Sequence, residues 1–190
     1  MKLPIFYCTT CGLYITGNSE IEVKAKSEEI YRKTYWDERN VEKILKSNFT
    51  DIDSQGKRRQ WISQYSYCKP YLKNKKKFLE IGTGAGQTIF WFEEIGFSVT
   101  GIEPDERNVN LINHKLRYEH CITGFIEDVQ VNEKFDIIWI SHVMEHLVRP
   151  DLFLKKFKNN LEEDGILFIE VPNCENDMVL NSSIYDHPST

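Results

Sequence analysis

From residue 77 onward, short apolar runs alternate with amphipathic segments, and this alternation constrains the fold more than any other feature of the chain. The apolar runs cover residues 78–81, 98–103, 121–123, 135–140 and 166–171. The segments at 87–95, 105–116 and 151–161 space their apolar residues by three and four, as an amphipathic helix does. Because right-handed crossovers join parallel strands in this βαβ order, we predict an α/β fold with a doubly wound, mostly parallel sheet and helices on both faces.

The chain divides into two regions at the point where this alternation begins. Its 190 residues match the usual size of one globular unit, and 41% apolar and 28% charged residues are typical of a packed core. We predict a cysteine knuckle and helical cap over residues 1–76, and a Rossmann-like sheet over residues 77–190. The polar residues 174–190 contain no further strand, so we expect the C-terminal strands of such a sheet to be missing.

Hydropathy and cysteine usage point to a cytoplasmic protein. The chain contains no apolar run of the roughly 20 residues that a membrane-spanning helix needs, and its N-terminus lacks a signal-type apolar stretch. Its five cysteines are an odd number, and only Cys8 and Cys11 are close together. We therefore expect reduced thiols rather than a disulfide framework.

Charge is distributed unevenly along the chain. Residues 1–77 carry 16 Lys and Arg against 9 Asp and Glu, whereas residues 78–190 carry 8 against 20. The stretch 57–77 holds eight basic residues and no acid. Such a stretch is either a solvated helix face or an attraction for a phosphate-bearing partner. The acidic remainder would repel nucleic acid, so we expect no nucleic-acid partner.

A glycine cluster follows the first predicted strand. Gly82, Gly84 and Gly86 lie between that strand and a helix, where glycines let the backbone turn sharply and approach a ligand closely. Glu103 ends the next strand, and a carboxylate there can accept both hydroxyls of a ribose. The pair predicts a nucleoside ligand, while a helix-capping role for Glu103 and Asp105 stays open.

The spacing of the cluster distinguishes between nucleoside ligands. A dinucleotide-binding turn wants a further glycine where Gln87 stands. Glu80 lies at the strand tip, and its carboxylate would repel a pyrophosphate but attract an ammonium group. The methionine moiety of S-adenosylmethionine suits this arrangement.

The chain resembles the class I S-adenosylmethionine-dependent methyltransferases over residues 78–173. The motifs that carry the resemblance are E-I-G-T-G-A-G at 80–86, G-I-E-P at 101–104, F-D-I-I at 135–138, H-V-M-E-H at 142–146 and G-I-L-F-I-E-V-P-N at 165–173. The resemblance implies that Glu80 and the three glycines line the methionine side of the cofactor and that Glu103 holds the ribose. It also implies that Pro104 packs on adenine and that Ser141 approaches the amino-acid end.

The sequence departs from the family pattern in two ways. Phe125 stands where the family usually places an Asp that receives the adenine amino group. The resemblance then leaves adenine to the backbone of Ile126, to Glu127 or to Asp128. The family also normally adds an antiparallel strand pair and a helix after the fifth strand, and residues 174–190 are too few to supply them.

Two histidines follow the central strand, at the sheet edge where the reacting methyl group is expected. Methyl transfer needs an acceptor atom that is commonly deprotonated, and an imidazole near neutral pKa accepts such a proton. His142 and His146 are therefore the catalytic candidates. Holding the reactants in line can also supply much of the rate without a base, and a Glu145–His146 pair that only fixes the loop is an open alternative.

The same histidines also match metal-binding patterns. The H-x-x-E-H spacing at 142–146 occurs in some zinc peptidases, and it resembles the E-x-x-E-H cluster of quinone-biosynthesis O-methyltransferases with His142 in place of the first Glu. The zinc chemistry needs this motif on a helix with a third ligand. Because the motif here ends a buried strand, we predict no metal at the site.

The N-terminal C-x-x-C-G sequence has the form of one zinc knuckle, with Cys8 and Cys11 as the thiolates. Four ligands are needed, and no second pair follows. It resembles half of the zinc-ribbon leader found before some methyltransferases of this kind. We interpret it as a metal-free remnant.

The sequence thus predicts methyl transfer from S-adenosylmethionine to an oxygen or nitrogen of a small-molecule acceptor, such as a sugar or another metabolite. Tyr31, Tyr35 and Trp36 are expected to form part of a lid over the cofactor, with core packing as the rival role. One alternative is an RNA methyltransferase that uses residues 57–77, although an N/D-P-P-Y/F motif is absent where residues 141–144 stand. Another is a non-catalytic nucleoside-binding module. The sequence leaves the oligomeric state open.

Overall fold

A computed structural model describes residues 5–10, 12, 14–16, 20–35, 55–118 and 120–173. Near the N-terminus, strands β1 (Ile5–Tyr7) and β2 (Tyr14–Thr16) form an antiparallel pair. Helix α1 (Glu20–Glu29) follows and continues into a π-helical turn, Ile30–Thr34. Such wide turns often occur at functional sites.

A five-stranded sheet forms the centre of the protein. Its strands are β3 (Lys77–Ile81), β4 (Ser98–Glu103), β5 (Cys121–Thr123), β6 (Phe135–Ser141) and β7 (Leu161–Glu170). All four neighbouring pairs are parallel, in the order β5-β4-β3-β6-β7. The chain builds outward from β3 to β5 and then returns to the other side of β3. This order confirms the predicted doubly wound α/β fold.

Helices cover both faces of the sheet. The helices are α2 (Gln55–Cys68), α3 (Gln87–Glu94), α4 (Glu106–Asn113) and α5 (Pro150–Lys158). Side chains of α2, α3 and α4 pack with Phe78 and Trp139 in one apolar cluster. On the opposite face, Phe153 and Phe157 of α5 pack with Leu79 and its neighbours in a second cluster. The strands β3, β4 and β6 are therefore covered on both faces, which explains their nearly continuous apolar sequences, whereas Leu167 and Ile169 of β7 are exposed.

The boundary between α5 and β7 differs from the sequence prediction. We predicted a helix over 151–161 and a strand beginning after Gly165, but α5 ends at Lys158 and β7 begins at Leu161. Leu161 pairs with Phe135, and the register then shifts before Ile137 pairs with Ile166. The apolar side chain of Leu161 fits a helix period and a strand equally well, so periodicity alone could not separate them.

The aromatic residues of the basic stretch divide between core and surface. Trp61 is 8% exposed, stacks on Tyr65 and contacts Trp91 of α3, so this part of α2 belongs to the core. Tyr67 and Tyr71 are exposed. Among the described residues, no helix is long and apolar enough to cross a membrane.

Two lysines of the basic stretch form ion pairs with acidic residues that follow it in the chain. Lys75 is 8% exposed; its Nζ donates to the Asp164 carbonyl at 2.8 Å and lies 2.6 Å from Asp164 Oδ2. Lys77 Nζ lies 3.4 Å from Glu133 Oε2. Lys75 is therefore a structural residue rather than part of a solvated cationic surface.

We expect Lys75→Met to lower the melting temperature by about 3 °C, because the protein loses the contacts of this buried ammonium to Asp164 of β7. Lys76→Met is the matched control, since the Lys76 side chain is exposed. Thermal unfolding followed by circular dichroism measures both. Equal melting temperatures for the two variants would contradict the structural role of Lys75.

Candidate functional site

A cavity of about 390 Å³ opens at the carboxyl ends of the strands. The turn after β3, the end of β4, the loop after β5 and the segment after β6 all line it, and α1, the π-helical turn and α2 complete the wall. In a doubly wound sheet this edge is where ligands bind. The predicted residues Glu80, Gly82, Gly84, Glu103, Pro104, Ile126, Glu127, Ser141, His142 and His146 all line the cavity.

The glycine turn between β3 and α3 leaves no room for a side chain. Gly82 and Gly86 have φ of 73° and 81°, in the left-handed region that favours glycine. A Cβ atom built on Gly82 would lie 2.4 Å from Cγ2 of Val143. The Gly82 N–H donates to the Ile102 carbonyl at 2.8 Å, which fixes the turn against β4. Backbone thus forms this wall of the cavity, and Gly86 lies behind it at the start of α3.

Glu80 places a carboxylate beneath the turn. It is 5% exposed, and the Thr88 side chain and the Ile89 backbone favour its ionised form. Its Oε2 atom has no hydrogen-bond partner among the described residues. Burial raises the pKa of Glu80 well above its usual range, with a smaller contribution from Glu103. A buried acceptor of this kind is suited to a cationic donor.

Glu103 lies at the end of β4, across the turn from Glu80. Its Oε2 accepts from the Gly84 N–H at 2.8 Å and its Oε1 from the Asp105 N–H at 3.2 Å. Burial raises the pKa of Glu103 to about 7 despite these hydrogen bonds. The capping role falls to Asp105 alone, because its side chain accepts from the Arg107 N–H at the start of α4.

The loop over residues 124–134, which joins β5 to β6, forms the next wall. Phe125 lies under the guanidinium of Arg32, whose Cζ is 5.0 Å from the ring centroid. Lys156 of α5 donates from Nζ to the carbonyls of Ile126, Glu127 and Val129 at 2.9, 3.2 and 2.6 Å. One ammonium group thus holds three backbone carbonyls of the loop.

We expect Lys156→Met to loosen this loop. The amides of Asp128 and Val129 both donate to the Phe125 carbonyl, so their hydrogen exchange reports the loop's closure. Losing the charge-assisted hydrogen bonds should speed their exchange about tenfold. Lys158→Met on the same helix is the control because Lys158 is exposed. Equal exchange in both variants would show that Lys156 does not hold the loop.

His142 adopts an unusual backbone conformation directly after β6. Its φ is 56°, and its N–H donates to the Glu170 carbonyl at 2.9 Å. Its Nδ1 lies 3.6 Å from Glu145 Oε1 and its Nε2 lies 3.7 Å from Glu170 Oε2. A non-glycine residue in this region is strained, and such strain concentrates at functional sites.

His146 lies on a short 3-10 turn, Met144–His146, and faces the cap. Its ring lies 5.5 Å from that of Tyr31, and its Nε2 is 3.7 Å from Glu145 Oε1. Burial lowers the pKa of His146 below its usual range, which keeps the imidazole neutral at pH 7. Burial raises the pKa of Tyr31 to about 12, with Tyr35 and Glu145 adding to the effect, so its hydroxyl stays protonated.

The structure adds a carboxylate that the sequence analysis did not single out. Glu170 ends β7, and its Oε2 accepts from Ser141 Oγ and from Gln64 Nε2, each at 2.5 Å. Its only signal in the sequence is an acid at the end of an apolar strand. Gln64 gave no signal, because it lies 106 residues from its partner.

Three other predictions concern residues outside the described part of the chain. These are Cys11 of the knuckle, Trp36 of the lid and the tail from residue 174. Among the residues that the structure does describe, no group of three His, Cys, Asp or Glu side chains is arranged to hold a metal ion.

Comparison with known proteins identifies relatives of the chain. A family model described as a methyltransferase domain matches residues 53–189. A ubiquinone biosynthesis O-methyltransferase of Glaesserella parasuis is 31% identical over 160 residues, covering 72% of this chain and 65% of the relative. One from Pelagibacter ubique is 30% identical over 165 residues, covering 83% and 65%. The chain therefore spans just under two thirds of these relatives.

Solved structures share the fold at low sequence identity. The plantazolicin methyltransferase BpumL, in complex with S-adenosylhomocysteine and a monoazolic desmethylPZN analogue, has a TM-score of 0.55 at 20% identity, covering 80% of this chain and 62% of its own. An S-adenosylmethionine-dependent methyltransferase from Clostridium acetobutylicum has a TM-score of 0.57 at 15% identity, covering 73% and 60%. These likenesses establish the fold class independently of the motifs.

Proposed function

The chain belongs to the methyltransferase-domain family, in the class I group, and from that premise we propose that it transfers a methyl group from S-adenosylmethionine to an oxygen or nitrogen of a small molecule. The main support for the proposal is that the glycine turn and two buried carboxylates, Glu80 and Glu103, line one cavity at the carboxyl ends of the strands. The O-methyltransferase names of the relatives support an oxygen acceptor.

The unpartnered Oε2 of Glu80, which has no hydrogen-bond donor among the described residues, supports the fit of this cofactor. An ammonium group such as that of the methionine moiety supplies the missing donor and stabilises the ionised carboxylate. The backbone at Gly82 and Gly84 would lie beside it, and Ser141 would approach the amino-acid end. When bound, S-adenosylmethionine supplies a methyl group that is carried on a sulfonium sulfur. Transfer of the methyl group leaves that sulfur as a neutral thioether.

The nucleoside end of the cofactor is assigned to the β4 side of the cavity. Glu103 would accept the ribose hydroxyls, and Pro104 would pack on adenine. Ile126 and Glu127, on the loop that Lys156 holds, would complete the adenine wall. This loop offers backbone groups at the position where Phe125 replaces the usual acid.

His142 and His146 are the proposed proton acceptors. As the acceptor oxygen or nitrogen gains the methyl group, it loses a proton, and a neutral imidazole can take it. The lowered pKa of His146 keeps its imidazole neutral at pH 7. Tyr31 and Tyr35 line the cavity from the cap, so we assign them to a lid over the reacting groups.

Transfer of labelled methyl from S-adenosylmethionine to a panel of hydroxylated and amine-bearing metabolites tests the proposal. We expect the double variant His142→Ala/His146→Ala to lower kcat by about 100-fold. Its affinity for the cofactor should stay within a few fold of the wild-type value. Binding of S-adenosylhomocysteine without transfer to any acceptor would favour the non-catalytic nucleoside-binding module instead.

A further inference from the structure

Three polar side chains of the cavity wall converge on one carboxylate behind it. Ser141, Gln64 and His142 line the cavity, and Glu170 lies behind all three. The backbone N–H of His142 also donates to the Glu170 carbonyl. The end of β6, the residue after it and helix α2 are thus tied to a single residue of β7.

Chemistry fixes the direction of these hydrogen bonds. The Ser141 hydroxyl donates to Glu170 Oε2, so its one proton is already used in that hydrogen bond. In the same way, the Gln64 atom at 2.5 Å must be its amide nitrogen. Both side chains therefore donate protons to Glu170. What Ser141 has left for a ligand is lone pairs, and the remaining polar atom of the Gln64 amide is a carbonyl oxygen.

The location of this cluster assigns it to one half of the cavity. Strand β3 lies in the middle of the sheet, with β4 and Glu103 on one side and β6 and β7 on the other. If Glu103 holds the ribose, as proposed above, the cluster lies on the methionine side of the cofactor, which includes both the amino-acid end that Ser141 approaches and the sulfur that carries the methyl group. The role of the cluster therefore rests on that proposed function.

We propose that Glu170 is a positioning residue that turns the transfer side of the cavity into a wall of hydrogen-bond acceptors. The wall takes a methyl acceptor that presents a hydroxyl or amine hydrogen on an uncharged or cationic molecule. A carboxylate or phosphate oxygen has no proton to offer and would meet lone pairs.

Sinefungin tests the proposed wall of hydrogen-bond acceptors, and this test does not require the methyl acceptor to be known. In this analogue an amine-bearing carbon replaces the methylated sulfur, so it presents N–H donors at the transfer position, whereas S-adenosylhomocysteine presents none. We expect the wild-type protein to bind sinefungin at least about tenfold more tightly than S-adenosylhomocysteine, the effect of one hydrogen bond to a charged donor. Calorimetric titration measures both affinities.

Two variants separate hydrogen-bond direction from charge. Glu170→Met removes the carboxylate that orients Ser141 and Gln64, and the double variant Ser141→Ala/Gln64→Met removes the lone pairs of both side chains while retaining the Glu170 charge. We expect both to reduce the sinefungin preference to near parity. Glu163→Gln, which makes the same charge change at an exposed site on β7, is the control and should keep the preference.

The outcomes distinguish this proposal from the one on which it rests. Binding of neither ligand by the wild-type protein would remove the proposed function. Binding of both ligands with equal affinity would overturn the proposed wall of hydrogen-bond acceptors and leave the proposed methyl transfer unaffected. A preference lost in Glu170→Met but kept in Ser141→Ala/Gln64→Met would show that Glu170 acts only through its charge, which also overturns the wall.

Discussion

Gly82→Ala is expected to abolish measurable binding of S-adenosylhomocysteine, a loss of at least about 100-fold. A Cβ atom at this position would lie 2.4 Å from Val143 Cγ2, and the backbone φ of 73° disfavours any side chain. The turn and the segment after β6 must therefore separate, which deforms the wall that meets the cofactor. The two effects together should cost about 2–4 kcal/mol of unfolding free energy.

Gly96→Ala provides a control that isolates the close contact from the backbone strain. Gly96 also has a positive φ, 95°, but a Cβ atom built there would have nothing within 4 Å of it among the described residues. We expect this variant to lose about 1 kcal/mol and to bind S-adenosylhomocysteine normally. The double variant Gly82→Ala/Val143→Ala should recover part of the affinity, because it removes the clash and keeps the strain. Equal binding by Gly82→Ala and Gly96→Ala would refute the role of the close approach.

Glu103→Gln is expected to weaken S-adenosylhomocysteine binding by about 100-fold and to flatten the pH dependence of the ligand-free protein's stability between pH 4.5 and about 7. The amide replaces an anionic acceptor of the ribose hydroxyls by a weaker one, and each charge-assisted hydrogen bond contributes about 1.5–3 kcal/mol. Glu106→Gln, three residues later on exposed surface, is the matched control. Calorimetric titration and thermal unfolding measure the two effects separately.

The pH dependence follows from the pKa of Glu103, which burial raises from 4.5 to about 7. Between these values the folded protein binds more protons than the unfolded chain, so the free energy of unfolding falls as the pH rises. The shift corresponds to about 3 kcal/mol, fully lost above pH 7, and Glu103→Gln should flatten this part of the profile. Hydrogen bonds from the ribose favour the ionised carboxylate, so the affinity for S-adenosylhomocysteine should rise towards pH 7 and then level. Parallel stability profiles for wild type and variant would contradict this account.

The sequence predicted the sheet because its strands depend on local patterns. Continuous apolar runs separated by amphipathic segments leave few topologies, and the glycine turn marks the central strand β3. The same reasoning located Glu80 and Glu103, since both stand at strand ends whose position in the sheet is fixed by the order of elements. The boundary at Leu161 was the exception, because an apolar residue there satisfies both periods.

Contacts between distant segments could not be predicted in this way. Glu170 meets Gln64 across 106 residues, and the ring of Tyr31 meets that of His146 across the cavity. Lys156 looks like one lysine among several on α5, and only the structure brings its ammonium to three carbonyls of the loop after β5. These residues act through tertiary packing, and a single sequence carries no signal for such pairs.

Thermal unfolding with S-adenosylhomocysteine and, separately, with NAD tests whether the glycine turn and Glu103 bind this cofactor, because a ligand that binds only the folded state raises the unfolding midpoint by mass action. We predict a rise with S-adenosylhomocysteine, by about 2.7 kcal/mol of added stability at 100 times its Kd, and none with NAD. The rise should disappear in Glu103→Ala. A rise with NAD, or a rise with S-adenosylhomocysteine that persists in Glu103→Ala, would contradict the assignment of the glycine turn and Glu103 to this cofactor.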